Sequence, residues 1–183
     1  NAYYRFGYSG TPLARGDRKS LYAIGCLGPI IYKVRPQTLI DVGILAAPTI
    51  TVVPVDQKTT RDGWKNAYSD LVFRSQARNE TIVNIARKAQ KPAFVFVENI
   101  NHGRRLEKML AKAGFNVEFV WGDDDTDERR RAIQKCVRGD LDMLVCSGVF
   151  RQAIDVPDLR AIINAAGMKS IIATLQRLGR GSR

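Results

Sequence analysis

The end of the sequence carries residues whose types and spacing suit phosphate chemistry. Arg180 and Arg183 are three residues apart, on one side of a helical turn, and Gly179 and Gly181 beside them would let a ligand approach closely. Two guanidinium groups placed in this way can bind phosphate oxygens and the negative charge that develops during phosphoryl transfer. From residues 176–183 alone, a disordered basic tail is an equally good interpretation.

The sequence lacks a phosphate-binding loop of the P-loop type. Such a loop needs Gly-x-x-x-x-Gly-Lys-Ser/Thr, so that backbone amides can surround the phosphates. The nearest match is the Lys-Ser pair at 19–20, where Leu13 and Arg18 occupy the two glycine positions. We therefore reject this match.

Metal sites and disulfides are also disfavoured. His102 is the one histidine, and Cys26, Cys136 and Cys146 are far apart, with no Cys-x-x-Cys pair. The acidic run 123–127 lacks the turn glycine and the glutamate of a calcium loop. The sequence therefore predicts no metal site and reduced thiols, as in a cytoplasmic, intracellular protein.

The charge balance indicates a polyanionic partner. The chain has 29 Lys and Arg against 18 Asp and Glu, a formal net charge of +11. A field of this sign attracts polyanions, so nucleic acid is the leading partner. No apolar run approaches the roughly 18 residues that a membrane span needs, and we expect no membrane partner.

The spacing of apolar residues predicts an α/β fold. Short apolar strands alternate with amphipathic helices, which is typical of an open, mainly parallel sheet with ligands at the carboxyl ends of its strands. The predicted strands are 94–97, 117–120, 143–146 and 161–164, and the predicted helices are 79–90, 101–113, 125–138 and 170–178.

The first third is less regular. Residues 1–2 are interpreted as an expression remnant, and residues 3–60 as a lead-in segment with helices at 17–24 and 36–42 and an edge strand at 50–55. The polar stretch 56–70 is a loop or a hinge. The domain core is therefore predicted to span 61–183.

The order of the motifs resembles that of a known family. Residues 176–183 match the Gln-x-x-Gly-Arg-x-x-Arg motif VI of superfamily 2 helicases. Residues 8–12 resemble motif III, residues 94–106 motif IV and residues 145–157 motif V. The chain thus resembles the second RecA-like domain of superfamily 2 DNA helicases and translocases, and is similar to phage recombination and DNA-repair helicases.

This resemblance implies a three-layer α/β/α RecA-like fold and a set of roles at an ATP site. Arg180 and Arg183 would be arginine fingers that reach the γ-phosphate of ATP, which the first RecA-like domain holds with Mg²⁺. Gln176 would couple this site to the interdomain cleft, and Asp155 would lie near the nucleotide ribose. Thr11 would couple the nucleotide state to strand movement.

The resemblance also implies contacts to a DNA backbone. Ser147 stands where threonine is commoner, and its hydroxyl and adjoining amide would hold a strand phosphate. Gly148 would let the backbone come close. His102 is either a position near the DNA or an ordinary surface histidine in the first turn of a helix. Ala153 and Gln152 depart from the family pattern, which weakens the case for a nucleotide contact in that turn.

We therefore expect the second motor domain of an ATP-dependent DNA helicase or translocase. Its partners would be DNA and the first RecA-like domain of the same parent protein. Because Walker A and an acidic box are missing, the chain alone should not hydrolyse ATP. The alternative is a stand-alone nucleic-acid-binding module with a degenerate helicase-like fold. A small-molecule phosphate-binding enzyme is disfavoured, because no general base accompanies the arginines.

Overall fold

The computed structural model describes residues 3–9, 20–122, 126–147 and 159–167. Within these ranges no helix is both long enough and apolar enough to cross a membrane. The elements in chain order are α1 (Ser20–Leu27), α2 (Pro36–Asp41), α3 (Trp64–Tyr68), a π-helical turn (Ser69–Phe73), α4 (Gln76–Lys88), β1 (Ala93–Phe96), α5 (Ile100–Lys112), β2 (Val117–Val120), α6 (Thr126–Arg138), β3 (Met143–Cys146) and β4 (Ala161–Asn164).

The four strands form one sheet in the order β2-β3-β1-β4, and every neighbouring pair is parallel. Phe96 pairs with Cys146 on one side and with Asn164 on the other, so the strands end level with one another. The chain reaches each next parallel strand through a longer connection, which α5 and α6 provide between β1, β2 and β3. The predicted α/β sheet of parallel strands is confirmed.

Alternation along β1 divides the core into two layers. Val95 points to the face covered by α4 and α5, where Leu106 and Leu110 of α5 are fully buried. Phe94 and Phe96 point to the opposite face, where α6 packs. All four β1 residues are buried, as expected for a central strand covered on both faces. The described part of the chain is therefore a three-layer α/β/α arrangement.

Capping and a close glycine contact position α5. The side chain of Asn99 accepts a hydrogen bond from the amide of His102 at 3.1 Å, which satisfies a free donor of the first helical turn. Gly103 lies against β2, since a Cβ atom at this position would stand 2.2 Å from the Phe119 ring. Helix α5 can therefore approach the sheet closely at its N-terminal end.

The lead-in segment differs from its prediction. Residues 50–55 pair with no described strand, and Val52 is 86% exposed, so the predicted edge strand was wrong. An apolar run becomes a strand only where a neighbour can take up its backbone hydrogen bonds. The described part of the first predicted helix is α1, Ser20–Leu27, which reaches three residues further than predicted. Residues 17–19 and the predicted helix 170–178 lie outside the described ranges.

Candidate nucleic-acid interface

The ends of the four strands bring distant parts of the sequence to one edge of the sheet, here called the carboxyl edge. Asn99 follows β1, Trp121 follows β2, Ser147 follows β3 and Ala165 follows β4. Because all strands are parallel and in register, these residues lie at the same edge. This is the edge at which open α/β sheets bind their ligands.

Ser147 lies near the middle of the carboxyl edge, because β3 is flanked by β2 and β1. Its side chain is 6% exposed, and its amide donates a hydrogen bond to the carbonyl oxygen of Val120 at 3.2 Å. The pairing of β2 and β3 therefore continues to Ser147 and occupies this amide. Of the two Ser147 groups expected to hold a phosphate, the amide is therefore already used within the sheet.

His102 is buried, so its interpretation as an ordinary surface histidine was wrong, whereas its position near the DNA stays a prediction. Its imidazole is 2% exposed, and Nε2 lies 2.9 Å from the Oδ1 atom of Asn79. Burial, followed by the nearby charges of Arg78 and Arg105, lowers the pKa of His102 to about 4. The ring is therefore neutral near pH 7, and its Nε2 atom faces α4.

Two neighbouring residues of α4 connect the π-helical turn to other elements. Arg78 donates from Nη1 to the carbonyl oxygen of Val72 at 3.3 Å, and from Nη2 to that of Ala165 at 2.8 Å. Burial lowers the pKa of Arg78. Asn79 donates from Nδ2 to the carbonyl oxygen of Phe73 at 3.2 Å. The first turn of α4 thus links the π-helical turn to the segment that follows β4.

Sequence reasoning missed Arg78 and Asn79 as organising residues. The partner of Arg78 beyond β4 is 87 positions away in the sequence, and the partner of Asn79 in α5 is 23 positions away. No local pattern reports such pairs. The one available sign is an adjacent Arg and Asn in the first turns of a helix, which more often marks a solvated face.

Gly167 completes this connection. A Cβ atom there would lie 2.7 Å from the side chain of Val72 and 3.0 Å from that of Tyr68. The absence of a side chain lets the chain beyond β4 pack directly against α3 and the π-helical turn. The carboxyl edge is therefore continuous with these two elements.

Exposed cations surround this part of the edge. Arg104 and Arg105 lie in the first turns of α5, and Arg74 follows the π-helical turn, where its carbonyl oxygen accepts a hydrogen bond from Arg105 at 3.2 Å. Lys65 of α3 is also exposed. The described ranges hold no group of three or more His, Cys, Asp or Glu side chains suited to a metal ion. The arrangement can attract a polyanion through exposed positive charge.

All residues assigned to the predicted ATP site lie outside the described ranges. Geometry is thus given for His102 and Ser147 and not for the predicted residues Thr11, Gly148, Asp155, Gln176, Arg180 and Arg183.

The known proteins to which the sequence is similar are helicases. Residues 77–183 match the helicase conserved C-terminal domain. The chain is 29% identical to the ATP-dependent DNA helicase uvsW of Enterobacteria phage T4, over 98% of this chain and 38% of uvsW. It is 30% identical to the ATP-dependent RNA helicase DBP3 of Meyerozyma guilliermondii, over 49% of this chain and 17% of DBP3. The chain thus spans less than half the length of these curated relatives.

Solved structures show the same fold. The RNA helicase Prp28 from Chaetomium thermophilum, bound to ADP, has a TM-score of 0.55 and 24% identity over 59% of this chain and 27% of its own. A DEAD box protein from Methanococcus jannaschii has a TM-score of 0.55 and 24% identity over 61% of this chain and 31% of its own. These similarities confirm the RecA-like fold. Because its family match covers more than half of its length, the chain belongs to the helicase conserved C-terminal domain family.

Proposed function

We propose that this chain is the second motor domain of an ATP-dependent DNA helicase or translocase, and that its carboxyl edge contacts the nucleic-acid backbone. The observation that carries the proposal is the position of Ser147 at the end of the central strand β3, on the edge lined by the exposed cations of α3 and α5. Contacts of this kind position a strand without reading its sequence. The family match over residues 77–183 supports a motor role.

The ATP-dependent part of the proposal concerns residues outside the described ranges. Arg180 and Arg183 act as arginine fingers on the γ-phosphate, and Gln176 couples them to the interdomain cleft. Asp155 lies near the ribose, and Thr11 transmits the nucleotide state. ATP and Mg²⁺ bind mainly to the first RecA-like domain of the parent protein, because these 183 residues contain no P-loop.

The arginine-finger role is tested by Arg183→Ala in the full-length parent protein. We expect the ATPase kcat to fall by a factor on the order of 10³, because a finger stabilises charge that develops in the transition state. The affinity for DNA should stay nearly unchanged. Arg87→Ala is the matched control, since Arg87 is exposed in the last turn of α4, which leads to the opposite edge of the sheet. Unaltered turnover in Arg183→Ala would contradict the role.

The strand-phosphate role is tested by Ser147→Ala and Ser147→Thr. Loss of one hydroxyl contact should weaken DNA-stimulated ATPase about tenfold and leave basal ATPase unchanged. Threonine keeps the hydroxyl and should restore stimulation. If DNA stimulates the ATPase of Ser147→Ala as strongly as that of the unchanged parent protein, Ser147 does not hold the strand.

The choice of DNA rests on the extent of the matches. The DNA helicase uvsW matches 98% of the chain, whereas the RNA helicase DBP3 matches 49%. Stimulation of the parent ATPase by DNA and RNA single strands of equal length and sequence tests this choice. Stronger stimulation by RNA would move the proposal to RNA. ATPase activity in neither the chain nor the parent protein would favour the nucleic-acid-binding module instead.

A further inference from the structure

Four rings form an aromatic ladder that runs inward from the surface to α5. Trp64, at the first position of α3, is 57% exposed, and its ring centroid lies 5.5 Å from that of Tyr68. Tyr68 meets Phe73 edge-on at 5.5 Å, and Phe73 lies 6.4 Å from the buried imidazole of His102. The exposed end of the ladder is therefore an indole supported from below by packed rings.

The base of the ladder is fixed by three hydrogen bonds, two from α4 and one from the loop before α3. Arg78 and Asn79 bind the carbonyl oxygens of Val72 and Phe73. From the preceding loop, the side-chain amide of Gln57 donates to the carbonyl oxygen of Leu71. A ring held on such a support loses little conformational freedom when another ring stacks on it. The ladder is thus preorganised for stacking.

The charges around Trp64 fit a nucleic-acid strand. Residues 58–74 contain four cations, Lys58, Arg61, Lys65 and Arg74, against two anions, Asp62 and Asp70. Arg61 and Asp70 are 3.4 Å apart and partly neutralise one another, which leaves three cations against one anion in the segment that carries the indole. An aromatic face among cations is the arrangement with which proteins hold unpaired bases without sequence preference.

The ladder also lies at the carboxyl edge. Tyr68 packs against Gly167, which follows β4, and Ser147 follows β3, two strands away in the sheet. Neighbouring strands are about 4.8 Å apart, so the ends of β3 and β4 are separated by about 10 Å. A strand that passes Ser147 can therefore continue past the end of β4, where Tyr68 packs.

We propose that Trp64 is a stacking platform for an unpaired base of a single nucleic-acid strand bound along the carboxyl edge. The proposal rests on the proposed function for the direction of the strand past Ser147, but it requires neither ATP nor the first RecA-like domain. Arg78 and Asn79 support the platform from below, and Lys65 binds a phosphate beside it. Trp64 therefore contributes affinity without adding charge.

The first measurement is the binding of a fluorescein-labelled oligothymidylate to the 183-residue chain without nucleotide. Trp64→Ala should weaken binding about tenfold, because stacking contributes about 1–3 kcal/mol per base. Trp64→Phe should recover most of the affinity. Tyr22→Ala is the matched control, since Tyr22 is a 73% exposed aromatic residue of α1 outside the ladder. Equal affinities for Trp64→Ala and the unchanged chain would overturn the proposal.

A second measurement follows the indole itself. The chain has two tryptophans, so Trp121→Phe leaves Trp64 as the only one. Oligothymidylate should quench its fluorescence, and an abasic strand of the same length should not. Quenching by ATP but not by oligothymidylate would overturn the proposal and assign the ring to a nucleotide. Equal quenching by the abasic strand would also overturn it, because no base would then be needed.

The salt dependence of oligothymidylate binding distinguishes the stacking contact of Trp64 from the phosphate contact of Lys65. Lys65→Ala should reduce the slope of log Kd against log salt by about one, whereas Trp64→Ala should leave the slope unchanged. A changed slope in Trp64→Ala would overturn the stacking role. These binding results do not depend on ATPase activity. If oligothymidylate stacks on Trp64 but the parent protein has no ATPase activity, only the proposed motor function is contradicted. If the parent protein hydrolyses ATP but no base stacks on Trp64, only the platform is contradicted.

Discussion

Helix α1 has the larger share of apolar residues, but α5 is the helix that is buried. Six of the eight residues of α1 are apolar, yet none is buried. Five of the thirteen residues of α5 are charged, yet His102, Gly103, Leu106 and Leu110 are buried. The apolar residues of α5 recur on one helical face, and a sheet lies beneath that face. Burial therefore follows from periodicity together with a neighbouring surface, and apolar content alone does not produce it.

The contrast extends beyond these two helices. No described residue before Asn79 is buried, whereas both core layers are built from residues 82–165. The free energy of unfolding of the chain should therefore depend on the second region and hardly on the first. The exposed apolar residues of α1 remain available to another surface, which the proposed first RecA-like domain would supply.

Truncation of one leucine in each helix gives the largest expected difference. Leu110→Ala removes a fully buried side chain and should lower the free energy of unfolding by about 2–5 kcal/mol. Leu21→Ala, at a 76% exposed position, should change it by less than about 0.5 kcal/mol. Urea denaturation of both variants measures the difference. Similar losses in the two variants would show that α1 is also part of the core.

The buried histidine of α5 gives a pH-dependent difference of intermediate size. The pKa of His102 is about 4 in the folded chain and near its ordinary 6.5 in the unfolded chain, so the unfolded state takes up the proton first. The stability that neutral His102 contributes is present above about pH 6.5 and is lost as the pH falls toward about 4. Between about pH 7 and pH 5 the loss should be about 2 kcal/mol.

Denaturation midpoints at these two pH values check this expectation, with His102→Gln as the comparison. Glutamine does not titrate, so the variant should lose less stability on acidification than the unchanged chain does. The same pH dependence in both proteins would show that the acid sensitivity arises elsewhere.

The smallest expected difference comes from two helical glycines. Gly103→Ala places a methyl group within 2.2 Å of Phe119 and should destabilise the chain by about 1–2 kcal/mol, because the ring must shift. Gly25→Ala in α1 meets no atom within 4 Å and should be neutral or stabilising by up to about 1 kcal/mol, because alanine favours a helix. Thermal unfolding of both variants tests the pair. A stable Gly103→Ala chain would mean that α5 is not confined by β2.

Local patterns predicted the core well. The predicted bounds of β2, β3 and β4 match those observed, and β1 begins one residue earlier than expected. The strand order β2-β3-β1-β4 was not predicted, because strand pairing depends on contacts between distant residues that periodicity does not contain. Helix α3 and the π-helical turn were missed because residues 56–70 are mostly polar. The π-helical turn forms where Arg78 and Asn79 donate hydrogen bonds to the carbonyl oxygens of Val72 and Phe73.

The candidate site shows the same limit. The sequence placed Ser147 correctly after a buried strand, but not the use of its amide in pairing with Val120. The sequence also gave no sign that His102 is buried, because its partner Asn79 belongs to another helix. The roles of Arg180 and Arg183 remain predictions.

The different burial of the three cysteines makes the chain selectively addressable by thiol chemistry. Cys136 and Cys146 are buried, and burial raises the pKa of the Cys136 thiol to about 11, whereas Cys26 of α1 is exposed. A maleimide dye reacts with an accessible thiolate, so it should attach to Cys26 without any substitution. Its emission would then report whether the surroundings of α1 change when another domain or a nucleic acid binds.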